Sequence, residues 1–282
     1  MRVYADNAAT TKLSPAAKEA MLPYFDEIYG NPSTLYTLGQ EAAEHLLACR
    51  TEIAQLIGRC DPREIVFTSG GSEADNQAII SAARNGARKG KKHLISTKFE
   101  HHAVLHTLDK LRKEGFDVTL LDVHENGVVR VEDVAAAIRD DTALVSVMFA
   151  NNEIGTIQPF SHRRALPRAG HPVPHGRGAG CRPRPRGRAG DAHRPALVLG
   201  AQIPWAARRR LSVRQARHPA HEYHRGRRAG TRQAGRHGEH PRHHGLAAAL
   251  EESCGHIDED TARLTKLRDK LIAGLSKIPT AR

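Results

Sequence analysis

The sequence changes character twice, and these changes limit what the chain can fold into. Apolar residues recur at helix and strand spacings up to residue 160 and again from residue 246, but the segment 161–245 shows no such period. This segment holds 20 arginines, 11 of the 18 histidines, 9 of the 15 prolines and no lysine. A segment of this composition is not expected to pack into a core. We therefore predict three parts, 1–160, 161–245 and 246–282.

The same segment explains the net charge of the chain, which is +12. Its 20 arginines and three acidic residues give it a net charge of +17, so the rest of the chain is mildly acidic. A nucleic-acid-binding insertion is one interpretation of such a basic block. However, the segment offers only Trp205 and Tyr223 as aromatic side chains for base stacking. Nucleic acid is therefore not the expected partner.

Up to residue 160, predicted strands and helices alternate. Strands are predicted at 64–68, 93–97, 116–123 and 143–150, and helices start near 14, 40, 73, 102 and 131. Alternation of this kind predicts an α/β fold with a mostly parallel sheet and helices on both faces. Within the basic segment, only 196–199 could form a strand. From residue 246, two amphipathic helices are predicted, with a break near Gly255.

The chain shows no sign of secretion or of membrane insertion. It has no basic start followed by an apolar run and no apolar stretch of spanning length. Its four cysteines are scattered, without the paired spacing of a metal site. We therefore expect reduced thiols, a cytoplasmic location and no membrane partner.

Three polar motifs follow predicted strands, at the edge where parallel α/β sheets bind ligands. Residues 68–72 form a Gly/Ser turn that opens a helix, which is a possible anion site or an ordinary turn. At 100–102, histidines could stack on a flat ring or simply start a helix. Residues 151–155 could bind a ligand oxygen or form a polar turn. Taken together, the three motifs indicate a cofactor that carries a phosphate and a ring.

The motifs of residues 1–160 resemble those of the cysteine desulfurases, which are pyridoxal-phosphate enzymes of the class V aminotransferase group. The resemblance rests on five motifs in order and at family spacing, namely 4–11, 29–33, 67–76, 100–101 and 151–159. It implies the large domain of a fold-type I pyridoxal-phosphate transferase, incomplete and disrupted after residue 160.

The resemblance also implies roles for individual residues. Gly71 and Ser72 match the positions that hold the cofactor phosphate. His101 matches the histidine that stacks on the pyridine ring and transfers protons. Asn152 matches the asparagine near the phenolic oxygen of the cofactor and the substrate. Tyr36 departs from the family, which usually has a histidine there.

The implied reaction converts L-cysteine to L-alanine and passes the sulfur to an enzyme cysteine as a persulfide. Such enzymes are homodimers that deliver sulfur to an acceptor or scaffold protein for iron–sulfur assembly or tRNA thiolation. A related class V enzyme, such as a selenocysteine lyase, is the alternative.

Catalytic parts of the family are expected to be missing from this chain. The Schiff-base lysine of a Ser-x-His-Lys motif, the aspartate of a His-Thr-Asp-Ala motif and the arginine of an Arg-Ala-Gly-Thr motif belong within 161–245. Read one base out of register, His171 to Trp205 can yield the first two motifs, and His224 to His240 the third. We therefore interpret the segment as frame-shifted family sequence.

The family's nucleophilic cysteine is expected beyond Arg282, so the chain is interpreted as truncated. Cys254 lies within a helical pattern and is not expected to replace that nucleophile. We therefore predict that the chain is catalytically defective.

Overall fold

A computed structural model describes residues 1–4, 6–7, 10–57, 61–159 and 240–278, and the backbone of three short strands at 175–177, 197–199 and 211–213. Two of the four cysteines, Cys60 and Cys181, and most of the basic segment lie outside the described residues.

The N-terminal helices follow the sequence pattern closely. Helix α1 spans Pro15–Met21 and begins at Ser14, whose Oγ accepts the Ala17 N–H at 3.1 Å, as the predicted N-cap requires. Helix α2 spans Pro23–Asp26, and helix α3 spans Thr37–Leu56. Helix α3 begins three residues before the predicted start, and Tyr36 occupies its N-cap position without a side-chain hydrogen bond.

The remaining elements up to residue 160 alternate as predicted. In chain order they are β1 Ile65–Phe67, α4 Gly71–Ala87, β2 His93–Thr97, α5 His102–Lys113, β3 Asp117–Leu121, α6 Val131–Ala137, β4 Thr142–Val145 and β5 Val147–Met148. The bounds of β2 and α5 agree with the prediction, whereas the predicted strand 143–150 is divided into β4 and β5 at Ser146.

Three strands lie within the basic segment, where only 196–199 was predicted to form one. They are β6 His175–Arg177, β7 Leu197–Leu199 and β8 Leu211–Val213. The expectation that only 196–199 forms a strand in this segment is thus wrong for β6 and β8. Strands of three residues are too short to show a period of two, so their pairing with neighbouring strands could not be read from the pattern.

The strands form a row in the order β3-β2-β4 and β5-β6-β7-β8-β1. The two parts are joined because β5 follows β4 after Ser146, whose N–H donates to the Ile95 carbonyl at 2.8 Å. All neighbours pair in parallel except β8, which is antiparallel to both β7 and β1. The predicted α/β fold with a mostly parallel sheet is confirmed.

Helices cover both faces of the sheet, because adjacent strand residues point to opposite sides. Leu94 of β2 belongs to a buried cluster with residues of α4 and α5, including Ile80 and Leu108. Its neighbour Ile95 belongs to a cluster on the other face with Val134 of α6. Between the strands, His93 links β4 and β3, with Nδ1 2.8 Å from Thr142 Oγ1 and Nε2 2.8 Å from Thr119 Oγ1.

Beyond the basic segment, α7 spans His240–Gly255 and α8 spans Ile257–Leu275. Both predicted helices and their break near Gly255 are confirmed, although α7 begins six residues before the predicted boundary at 246. Leu246 and Leu250 of α7 are buried in a cluster with residues of α1, α3 and β1. Among the described residues, no helix is both long enough and apolar enough to cross a membrane.

Candidate cofactor site

The phosphate motif lies where β1 passes into α4. Arg50 of α3 holds the start of this strand, since its guanidinium donates to the Ile65 carbonyl and lies 4.8 Å from the centre of the Phe67 ring. The strand ends at Phe67 and the helix begins at Gly71, after an extended Gly70 that offers no side-chain cap. The first N–H groups of a helix have no acceptor within the helix, and they carry the positive end of its dipole. The turn is therefore able to bind an anion.

Two side chains define the first turn of α4. Glu73 reaches back, and its Oε2 accepts the Ser69 N–H at 2.5 Å. The Ser72 side chain is exposed at the second position of the helix. Because Glu73 holds the turn in shape, Ser72 is free to turn its hydroxyl toward a ligand at the helix N-terminus.

His101 lies between β2 and α5. It is the N-cap residue of α5, and its Nδ1 accepts the Ala103 N–H at 3.1 Å. A neutral His101 ring therefore carries its proton on Nε2. The side chain is exposed, so one face of the ring and the Nε2–H can meet a ligand.

Asn151 and Asn152 have different roles in the turn after β5. Asn151 Oδ1 accepts the N–H groups of Glu153 at 2.8 Å and of Ile154 at 3.0 Å, so this side chain builds the turn. Gly155 completes the turn with a φ of +72°, which only glycine adopts readily. The side chain of Asn152 is exposed instead. Of the pair, Asn152 is the residue that can reach a ligand.

Sequence reasoning missed Glu100, which connects two of these motifs. Its Oε1 accepts the Met148 N–H at 2.5 Å, so the segment that leads into His101 is tied to the strand that leads into Asn152. Glu100 is buried, and burial, together with the charge of Asp75, raises the pKa of its carboxyl to about 8 despite the hydrogen bond from Met148. The acidic residue beside the histidines was visible in the sequence, but its burial was not.

The three motifs lie at one edge of the sheet. Strand β8 is antiparallel to both β7 and β1, so β1 runs in the same direction as β5, β6 and β7. Strand β2 is parallel to β4, which leads into β5, so the carboxyl ends of β1, β2 and β5 face the same side. The structure therefore brings Gly71, Ser72, His101 and Asn152 to a common edge, as the motif order predicted. Strands β6, β7 and β8 separate β5 from β1 in this row.

Neither described cysteine has the character of a nucleophile. Cys49 is buried, its Sγ donates to the His243 carbonyl at 3.3 Å, and burial raises the pKa of the thiol to about 12. Cys254 of α7 packs against the buried cluster of α1 and α3. That Cys254 does not replace the family's nucleophile stays a prediction.

A fold-type I pyridoxal-phosphate protein is the class that this sheet and these strand-end motifs define. A solved structure named NifS-like protein matches with a TM-score of 0.88 and 28% identity, covering 99% of this chain and 77% of that chain. The family model of class V aminotransferases matches residues 3–171.

The named relatives narrow the family further. A cysteine desulfurase IscS from Methanosarcina thermophila is 39% identical over 310 residues, which cover 98% of this chain and 68% of the relative. A cysteine desulfurase IscS from Clostridium botulinum is 52% identical over 159 residues, or 56% of this chain and 40% of the relative. The chain thus spans about two fifths of the bacterial relative. The chain belongs to the cysteine desulfurase family of class V aminotransferases.

The cofactor of this family is pyridoxal phosphate, and the described residues fit part of it. The uncapped start of α4 with Ser72 suits a phosphate, and the exposed His101 ring suits a flat heterocycle. A lysine for the covalent bond to the cofactor does not occur anywhere in 161–245.

Proposed function

We propose that the family function of this protein is pyridoxal-phosphate-dependent desulfuration of L-cysteine, and that this chain binds the cofactor but does not catalyse the reaction. The observation that carries the proposal is the common edge shared by the start of α4, His101 and Asn152. In the full reaction, the C–S bond of cysteine breaks, the sulfur joins an enzyme thiolate as a persulfide, and the carbon skeleton leaves as alanine.

Each described residue has a distinct part in this proposal. The backbone N–H of Gly71 and the hydroxyl of Ser72 bind the phosphate. The His101 ring stacks on the pyridine, and its Nε2 holds or releases a proton. The Asn152 amide donates to the phenolic oxygen of the cofactor. When bound, pyridoxal phosphate supplies an aldehyde for the substrate amine and a ring that withdraws electrons.

The frame-shift interpretation explains why turnover is not expected. In the shifted reading, the aspartate codon overlaps the codons of Gly176 and Arg177, which belong to β6. The lysine codon overlaps those of Gln202 and Ile203, shortly after β7. Strands β6 and β7 are parallel neighbours, so the aspartate would belong to one strand and the lysine would come shortly after the adjacent strand in sequence. This coincidence supports the interpretation. Without the lysine, the covalent step is lost and not merely slowed.

One expectation from the sequence needs correction. The arginine motif was expected to be missing, but Arg228-Ala229-Gly230-Thr231 spells it in the printed reading frame. These residues lie outside the described part of the chain. The case for a chain without desulfurase activity therefore rests on the lysine and the aspartate.

Cellular context forms part of the proposal. We place the protein in the cytoplasm, since Cys49 is a buried, reduced thiol. A sulfur acceptor and a family-type homodimer belong to the complete enzyme. The basic segment does not require a nucleic-acid partner, because frame-shifted coding sequence accounts for its composition.

The test combines activity and binding. With L-cysteine and pyridoxal phosphate, the 282-residue chain should release no alanine or sulfide, while a chain with the reading frame restored and extended to family length should release both. Ser72→Ala should weaken reversible cofactor binding by roughly 10- to 100-fold, the effect of one hydrogen bond to a charged group. Ser276→Ala, in the turn after α8, is the matched control.

Two results would contradict the proposal. Alanine release by the 282-residue chain would refute the predicted lack of desulfurase activity. Equal cofactor affinity of the Ser72→Ala and Ser276→Ala variants would refute the phosphate site. Sequencing the gene across the codons for 158 to 282 tests the frame shift separately. Codons that cannot yield the family motifs in the second frame would reject it.

A further inference from the structure

Glu100 lies at the centre of a series of contacts that joins two of the cofactor motifs. It directly precedes His101, and its Oε1 accepts the Met148 N–H at 2.5 Å. The Sδ of Met148 in turn accepts a hydrogen bond from Asn151 Nδ2 at 3.5 Å. Asn151 builds the turn that presents Asn152. A displacement of Glu100 would therefore be transmitted to both His101 and Asn152.

The surroundings of Glu100 favour its neutral form. Glu100 is 8% exposed, and Asp75 of α4 is 6% exposed. Burial, and to a lesser extent the charge of Asp75, raises the pKa of the Glu100 carboxyl to about 8. Lys98, two residues earlier, is paired with Asp122 at the surface instead, with Nζ 2.6 Å from Oδ1. Strand β5 offers Glu100 a backbone N–H and carries no charged side chain. Within the described part of the chain, no cation thus lowers the pKa of Glu100.

Ionisation of Glu100 would disturb this arrangement. A buried carboxylate that faces a second acidic group and no cation either draws in water or turns toward solvent. Turning toward solvent takes the carboxylate away from the Met148 N–H and moves the backbone next to His101. The positions of both cofactor motifs therefore depend on the charge of one buried residue that links them.

We propose that Glu100 is a positioning residue for the cofactor, which aligns His101 with the pyridine ring and Asn152 with the phenolic oxygen only while its carboxyl is neutral. The inference rests on the proposed cofactor site, to which it adds a control by pH. The site is aligned below about pH 8, and the aligned fraction falls as Glu100 loses its proton above that pH. At pH 9 about one chain in eleven keeps a neutral Glu100, so this residue should lower the apparent affinity for pyridoxal phosphate roughly tenfold relative to pH 7.

The first experiment measures reversible binding of pyridoxal phosphate to the 282-residue chain at pH 7 and pH 9. Glu100→Gln keeps a carbonyl oxygen for the Met148 N–H but cannot ionise, so it corrects for the titration of the cofactor and of other groups. The loss of affinity between the two pH values should be about tenfold smaller in Glu100→Gln than in the unaltered chain. Glu125→Gln, which removes an exposed carboxylate, is the matched control and should lose as much affinity as the unaltered chain. Glu100→Ala, which removes the acceptor, should bind roughly 3- to 10-fold more weakly than Glu100→Gln at pH 7.

The second experiment needs no cofactor. Met148 is one of only three methionines, so isotopic labelling of the methionine methyl groups gives few NMR signals. The Met148 signal, assigned by its absence from a Met148→Leu chain, should move with a midpoint near pH 8 in the unaltered chain and should not move in Glu100→Gln. The signal of Met21, which lies in α1, is the internal reference.

Three results would overturn the positioning role. The first is an equal loss of affinity between pH 7 and pH 9 in the unaltered chain and in Glu100→Gln, and the second is a Met148 signal that does not respond to pH in this range. The third is loss of the helical circular dichroism of the unaltered chain at pH 9, because Glu100 would then sustain the whole fold and not the site. If neither the unaltered chain nor Glu100→Gln binds the cofactor at either pH, the proposed function fails, and the Met148 signal alone decides on the role of Glu100.

Discussion

Replacing Glu100 by Gln should remove a large pH dependence of stability. Glu100 is 8% exposed, and its Oε1 accepts the Met148 N–H. Burial is the main reason why its pKa rises to about 8 from the ordinary value of 4.5. Gln keeps a carbonyl oxygen for the Met148 N–H but cannot ionise. The substitution therefore isolates the titration of this carboxyl from its hydrogen bond.

The sign and size follow from proton linkage. In the unfolded chain the carboxyl loses its proton near pH 4.5, while in the folded chain it keeps the proton up to about pH 8. The stability that the neutral carboxyl contributes is complete below pH 4.5 and is lost as the pH rises to about 8, after which the loss is constant. The difference between a pKa of 4.5 and a pKa of about 8 corresponds to roughly 5 kcal/mol of unfolding free energy.

Urea denaturation at pH 5.0 and pH 8.5 measures the effect. The unaltered chain should lose several kcal/mol more than the Glu100→Gln variant between these pH values, so the variant becomes the more stable protein at pH 8.5. Glu125→Gln removes an exposed carboxylate and should behave like the unaltered chain. Equal losses for the unaltered chain and the Glu100→Gln variant would refute the neutral buried state of Glu100.

Two further predictions concern α7 and α8. The His244 ring stacks on the Tyr24 ring with 3.8 Å between the ring centres, and burial lowers the pKa of His244 to about 4. The stability that the neutral His244 confers is therefore complete above pH 6.5 and is lost as the pH falls to about 4. The loss should be roughly 2 kcal/mol after allowance for solvent screening, and His244→Phe should abolish it in denaturation curves at pH 7 and pH 4; an unchanged acid loss would contradict this. Leu250→Ala should cost about 3 kcal/mol of unfolding free energy, whereas Leu271→Ala should cost less than about 0.5 kcal/mol. Similar costs would contradict the different burial of the two leucines.

The elements and motif positions up to residue 160 could be predicted because they depend on local pattern. Strand β2 and helix α5 begin and end where alternation, helical spacing and Gly115 indicate. The strand-end location of the His101 and Asn152 motifs followed from the same alternation. The roles of these two residues toward the cofactor stay predictions.

The burial of Glu100 and the strands of the basic segment could not be predicted, because both depend on distant partners. Glu100 is buried against a strand 48 positions away in sequence, and no local signal shows that a carboxyl will meet that backbone N–H. Likewise β6, β7 and β8 consist of three residues each, and they are strands only because they lie between β5 and β1.

Helices α7 and α8 show most clearly where sequence and tertiary structure divide. The sequence alone determined that both are helices with an apolar side, because helical spacing of leucines is a local property. Only the tertiary structure decided that Leu250 is buried against α3 and β1 while Leu271 is exposed. The period of a helix shows which side is apolar, but burial requires a second surface, and the spacing of residues within one helix carries no information about that surface.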